Sequence, residues 1–145
     1  MSASSILTSL TSEVGTLLGA SWSELDYIYD IEKNNFKSNK SRYGIGTRGA
    51  SSTSGTNKAV TMDHIFFVTL TSNFTNRSSD AKERVALSEL YDKIELISKV
   101  IFQKKLNNAS VLLVSNLDYD EPSNPSTGTI ALTVNVTVKY RNITT

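Results

Sequence analysis

From Thr129 to Arg141 the chain alternates without a break. Ile130, Leu132, Val134, Val136, Val138 and Tyr140 are interleaved with Thr129, Ala131, Thr133, Asn135, Thr137, Lys139 and Arg141. Successive side chains of a strand point to opposite faces, so this period of two demands one buried face and one wetter face. Whatever else the chain does, it must cover a long apolar sheet surface.

Two segments have the right pattern to supply that cover. Over residues 3–18, Ile6, Leu7, Leu10, Val14, Leu17 and Leu18 recur at three- and four-residue spacing, with Ser4 or Ser5 to cap the start and Gly19 to stop the helix. A second helix follows Asp80 and Glu83, which match an N-cap and its reciprocal acid. Its stripe runs through Leu87, Leu90, Tyr91, Ile94, Ile97 and Ile101, widened by Val85, Leu96 and Val100. Lys104 and Lys105 near its end suit the helix dipole, and Asn107-Asn108 can terminate it.

Further strands are expected over Leu25–Ile31, Val60–Thr71 and Val111–Val114. In Val60–Thr71, Met62, Phe66, Val68 and Leu70 share a face with His64, while Ile65 and Phe67 lie on the other. Large apolar residues on both faces imply cover on both: a helix on one, a neighbouring subunit on the other. A polar loop over Asp118–Gly128 holds both prolines, Pro122 and Pro125.

The expected architecture is one α+β domain over residues 1–145, with two helices on one face of a mixed, mainly antiparallel sheet. Between the first two strands lies a long segment rich in Gly, Ser, Thr, Asn and Lys. Residues 33–58 carry six bases (Lys33, Lys37, Lys40, Arg42, Arg48 and Lys58) and no acid, although the whole chain has a formal net charge of only +1. Its bland reading is a solvated loop. Its sharper reading is a basic arm that docks on another protein subunit or on DNA, mobile in the free subunit and ordered in an assembly.

No catalytic constellation accompanies this scaffold. The chain has no cysteine, which removes disulfides, thiolate metal sites and cysteine nucleophiles together. The single histidine, His64, adjoins Asp63, but neighbouring strand residues face opposite ways, so a structural histidine is the better reading. No Gly-x-Ser-x-Gly elbow presents a serine. Asp118-x-Asp120-Glu121 starts like a calcium loop, yet Ser123 and Thr129 stand where that loop needs Gly and Glu. The glycines of Tyr43–Gly49 match neither a dinucleotide fingerprint nor a P-loop. The expectation is a non-enzyme with no cofactor and no metal. The start of the chain lacks a basic, apolar leader, and no window reaches membrane-span length, so a soluble cytoplasmic product is expected.

Several stretches together resemble tail terminator proteins, also called tail completion proteins, of long-tailed bacteriophages. They are Lys33-Asn34-Asn35-Phe36-Lys37, Arg42-Tyr43-Gly44-Ile45, Thr61-Met62-Asp63-His64-Ile65-Phe66, Glu89-Leu90-Tyr91-Asp92-Lys93-Ile94-Glu95 and Val138-Lys139-Tyr140-Arg141-Asn142. The resemblance implies an α/β fold with helices on one side of a sheet and a homohexameric ring on the head-proximal end of the tail tube. The ring would stop tube polymerisation and meet a head-completion or neck protein, with DNA passing through its lumen without sequence-specific binding. The protein would then sit in the virion, and in the host cytoplasm during assembly. Lys37, Lys40, Arg42, Tyr43, Arg48, Ile65 and Phe67 are the residues expected at the subunit or tube interface. A different head-completion or neck protein, or a nucleic-acid-binding module using the basic arm, are the alternatives.

Overall fold

The structure, a computed structural model, describes residues 2–36, 41–55, 59–75, 81–104 and 110–143. Helix α1 (Ala3–Leu18) leads into a short strand β1 (Trp22–Glu24), then two long strands, β2 (Ser41–Gly55) and β3 (Ala59–Asn73). Helix α2 (Lys82–Ile97) follows, then β4 (Val111–Tyr119), β5 (Ser123–Ser126) and β6 (Thr129–Ile143). The strand order among the described residues is β1-β2-β3-β6-β4, with β5 pairing β6 beyond the end of β4. Only β1 and β2 run parallel; the other pairs are antiparallel. The expected α+β class and mixed, mainly antiparallel sheet are therefore what the chain forms.

The alternation in β6 sets the layering. Val134, Val136 and Val138 are fully buried, together with Ile130, Leu132 and Tyr140. Register places Val136 beside Phe66 and Val134 beside Val68, so the even face of β3 joins the same layer. Onto this layer α1 brings Ile6, Leu10, Val14 and Leu18, and α2 brings Ala86, Leu90, Ile94 and Ile97. Each set recurs at three- or four-residue spacing, which puts it on one helical stripe.

The helix ends differ from expectation in detail. Ser2, rather than Ser4 or Ser5, caps α1, its hydroxyl accepting from the Ser5 amide at 3.2 Å. Gly19 does end the helix, at φ 93°, a conformation costly for any residue with a Cβ. Asp80, Lys105 and Asn107-Asn108 lie outside the described residues. After Ile97, α2 relaxes into one π turn over Ser98–Phe102, closed by the Gln103 amide donating to Ser98 O at 3.0 Å. The added residue rotates the helix so that Ile101 and Phe102, neighbours in sequence, are both buried.

Three sequence expectations need correction. Leu25–Ile31 is not a strand: β1 ends at Glu24, and the chain continues as a loop with a 3-10 turn at Ile31–Lys33. The segment expected to be an arm contains β2, paired with β3 from Arg42 to Gly55. Lys37, Lys40 and Lys58 lie outside the described residues. Polar, glycine-rich composition does not prevent a strand when a long apolar partner supplies the ladder. Nor is Asp118–Gly128 wholly a loop, since β4 runs through Tyr119 and β5 follows.

Val136→Asp buries an uncompensated carboxylate and should cost about 3 kcal/mol or more, a large share of the stability of a domain this size. Thr137→Asp, one position along and on the wetter face, should stay within about 1 kcal/mol of the parent in chemical denaturation. Equal effects would mean that the register of β6 is wrong.

Candidate functional site

The helices cover one face of the sheet. The other face is covered only in part, by the segment Leu25–Phe36, which folds back over it as a strap. Asn34 holds the strap together. Its Oδ1 accepts from the Asp26 and Tyr27 amides at 2.9 and 3.0 Å, and its Nδ2 donates to Tyr27 O and Ile31 O at 2.7 and 2.9 Å. This is why Tyr27, Tyr29 and Ile31 alternate in sequence without forming a strand: the buried amide takes over the backbone groups that a ladder would use. Asn73 pins the end of the strap, its Nδ2 donating to Phe36 O at 3.0 Å.

The strap lies close against β2 at Gly44 and Gly46. A Cβ at Gly46 would meet Phe67 Cζ at 2.5 Å and Ile28 Cδ1 at 3.0 Å, and one at Gly44 would meet Ile28 Cγ2 at 2.6 Å. Glycine is needed at Gly46 because the Phe67 ring, from its register partner on β3, lies across that backbone.

Phe67 is only 3% exposed, and its cover comes from this chain. Tyr29 meets its ring edge-on, with centroids 5.6 Å apart at 78°, and the Arg48 guanidinium lies 4.6 Å from its centre. The expectation that a neighbouring subunit covers Phe67 is thereby corrected. Tyr29 is fixed in turn by β2: its hydroxyl accepts from the Thr47 amide and donates to Thr47 O, both at 3.0 Å. Those hydrogen bonds hold its pKa below the ordinary tyrosine value.

From above Phe67, Arg48 reaches across the sheet into a closed polar network. Nε donates to Asn135 Oδ1 at 2.6 Å on β6, and Nη2 donates to Asp120 Oδ2 at 2.9 Å beyond β4. Asn135 Nδ2 completes the ring by donating to Asp120 Oδ1 at 2.7 Å. The pair is about half exposed, so its contribution is orientation more than energy. Arg48 stands where the β2–β3 register slips, between Thr47 and Gly49, and this slip marks the end of the strap-covered half.

Beyond that boundary the face is open. Ile65 is 38% exposed beside Thr137, and Asp63 meets Lys139 at 3.8 Å. Tyr43 lies on the helix face, partly buried against the core, and Arg42 is half-buried where β2 pairs with β1. Lys37 and Lys40 lie outside the described residues. The five described residues among the seven named from sequence therefore do not converge. Phe67 and Arg48 meet, Ile65 adjoins them on the open half, and Tyr43 is on the opposite side.

Sequence reading missed the apolar edge of β4. Leu112, Leu113, Leu117 and Tyr119 are 37%, 49%, 41% and 43% exposed, and they make up half of the large exposed apolar residues among those described. Leu112 and Leu117 fall where β4 slips register against β6. The signal was present in Leu112-Leu113, adjacent large residues that no one-sided strand can both bury. Asn34, Asp120 and Asn135 were missed too. Arg48 is separated from its two partners by 72 and 87 residues, beyond any local pattern.

His64 stacks on Phe66 with centroids 4.6 Å apart, and Nδ1 lies 3.3 Å from the Tyr140 hydroxyl. Burial lowers its pKa. Among the described residues, no group of three or more His, Cys, Asp or Glu is placed to hold a metal, and no helix is long and apolar enough to cross a membrane. Compared with models of known protein families and with curated proteins, the chain matches none.

Two outcomes follow. Asn34→Ala removes four backbone hydrogen bonds at a buried position and should cost about 2–3 kcal/mol in denaturant melts. His64, with its folded pKa below its ordinary 6.5, binds fewer protons folded than unfolded, so stability present above that value is lost as pH falls through it. His64→Gln should flatten the melting temperature between about pH 7 and 5; an unchanged slope would assign the dependence elsewhere.

Proposed function

We propose that this chain is a structural assembly protein of a long-tailed bacteriophage, a tail terminator that forms a ring on the head-proximal end of the tail tube. The observation that carries the reading is the apolar edge of β4. Tyr119 leans on Tyr91 of α2, with ring centroids 5.6 Å apart, but Leu112, Leu113 and Leu117 are outside the core cluster and stand exposed within the nine residues of the strand. Apolar strips of this kind mark surfaces that another protein covers. Sequence resemblance supplies the identity of the assembly. The resembling stretches lie on the strap, β2, β3, α2 and β6, which together build the sheet and both of its covers.

On this reading the chain meets three partners: its own copies, the tail tube protein and a head-completion or neck protein. DNA passes through the ring without sequence-specific contact. The bases of residues 33–58 suit an acidic protein surface better than a DNA channel, because a lumen that gripped phosphates would slow DNA exit. Arg48 is turned inward to Asp120 rather than outward to a partner, which leaves Lys37, Lys40 and Arg42 as the docking charges.

Light scattering tests the reading. It should find a particle near six times the 15.9 kDa subunit, alone or on tail tubes, and addition of the protein should arrest tube growth. A monomer that binds duplex DNA with steep salt dependence, and leaves tubes growing, would instead support a nucleic-acid module. Replacing Lys37 and Lys40 by Ser should weaken tube docking roughly fivefold, at about 0.5 kcal/mol per charge pair, with an unchanged melt. High salt should erase the difference between variant and parent.

A further inference from the structure

We propose that the groove between α1 and β2 binds a linear oligoamine, a molecule with several ammonium groups carried on one aliphatic chain. The inference does not depend on the assembly reading and uses a different surface.

Acid dominates the part of the chain that builds this groove. Residues 1–32 hold Glu13, Glu24, Asp26, Asp30 and Glu32 and no basic side chain. The groove is open, has a volume of about 790 Å³ and follows α1 from Leu7 to Gly19, with Glu24, Tyr43 and Ile45 on its other wall. That volume is in the range of small-molecule sites. Glu24 is the one charged residue among those that line it. Its carboxylate makes no ion pair among the described residues. Its charge is felt across the groove, because it adds to the rise that burial gives the Tyr43 pKa. The other acid of α1, Glu13, lines a separate pocket that also holds Lys104, so Glu24 is the groove's own charge.

The hydroxyls beside it are set to accept. Thr11 Oγ1 donates to Leu7 O at 2.8 Å, and Thr16 Oγ1 donates to Ser12 O at 2.9 Å. A hydroxyl has one hydrogen, so with that hydrogen committed to the helix each oxygen meets a ligand as an acceptor. The helix end acts in the same sense. α1 has no basic residue in its last turn, so the partial negative charge of its final carbonyls is not answered there. Thr16, Gly19 and Ala20 bring that end to the groove. Tyr43 forms the floor, and it can lie against the helix because Gly15 has no side chain: a Cβ there would meet the Tyr43 hydroxyl at 2.5 Å.

The spread of these acceptors selects the ligand. Thr8 to Thr16 covers eight residues, about 12 Å along a helix axis. A metal ion needs its oxygens converged on one point, and no group of three or more His, Cys, Asp or Glu is so placed among the described residues. Ammonium groups spaced along one chain match acceptors spaced along one helix. The methylenes between them can lie on Leu7 and Ile45, as the stem of a lysine lies on apolar surface. A single lysine head group from another protein would reach only one part of this row.

Calorimetry with spermidine as the probe tests the site. The parent should bind one spermidine per chain, and Glu24→Gln should weaken binding roughly fivefold. Asp30→Asn, at an acid paired with Lys33 at 3.4 Å outside the groove, should leave binding unchanged. Both variants should melt like the parent. Butane-1,4-diol, a chain without charge, should not bind, Mg²⁺ at matched ionic strength should not displace spermidine, and Nα-acetyllysine amide should bind at least tenfold more weakly. A parent that gives no saturable binding would overturn the inference. Equal weakening by Asp30→Asn would replace the site with diffuse attraction to an acidic surface. Displacement by Mg²⁺ that depends on Glu24 would make it a metal site, and equal affinity for the lysine derivative would assign the groove to a partner's side chain. None of these outcomes bears on ring formation.

Discussion

The ladder between β3 and β6 is the constraint on which the rest of the molecule depends. It pairs fifteen residues with fifteen, from Ala59↔Ile143 to Asn73↔Thr129, without a register slip. Because side chains alternate, that unbroken register places Phe66, Val68 and Leu70 beside Val136, Val134 and Leu132 in one apolar layer. A slip of one residue would exchange this layer for Thr and Asn on β6. Both helices owe their position to this surface. Neither would be stable alone at sixteen residues, and each gains its stability by covering part of the layer.

The reverse face of the same ladder is covered unevenly, and this unevenness shapes the protein's surface. Near the Asn73 end, the strap seals Phe67 and sits over Thr69 and Thr71, which stay buried as hydroxyl-bearing residues; Thr69 meets Thr133 at 2.7 Å. The strap can approach only because Gly44 and Gly46 lack side chains. Past Arg48 the cover ends, leaving Ile65, the Asp63–Lys139 pair and the β4 edge at the surface. The molecule is thus closed where its own chain reaches and unclosed at its two sheet ends.

How far this was legible in the sequence depends on whether an element is fixed by its own residues or by its neighbours. The stripe of α1 and the alternation of β6 were fully legible, because each element's residues sort themselves onto faces. The strand β2 was hidden. Its many Ser and Gly residues have little strand preference, and Gly44 and Gly46 answer to the strap and to Phe67 rather than to a turn. Only Tyr43 and Ile45, two apart on the helix face, hinted at it. The strap misled for the opposite reason: Tyr27, Tyr29 and Ile31 alternate, but the Asn34 side chain, buried several residues later, claims their backbone. For the candidate site, Arg48 and Phe67 were named as interface residues, and their meeting within the chain was not foreseen. Asp120 and Asn135 join them only through strand order, which no local pattern encodes.

Hydrogen exchange read by mass spectrometry, on the free subunit and on the assembled particle, tests most directly whether this fold keeps its β4 edge for its own copies. The account predicts that amides of β3 and β6 are protected equally in both states. Val111–Tyr119 should gain protection only on assembly. An assembled particle in which β4 exchanges as fast as in the free subunit, while another surface becomes protected, would contradict it.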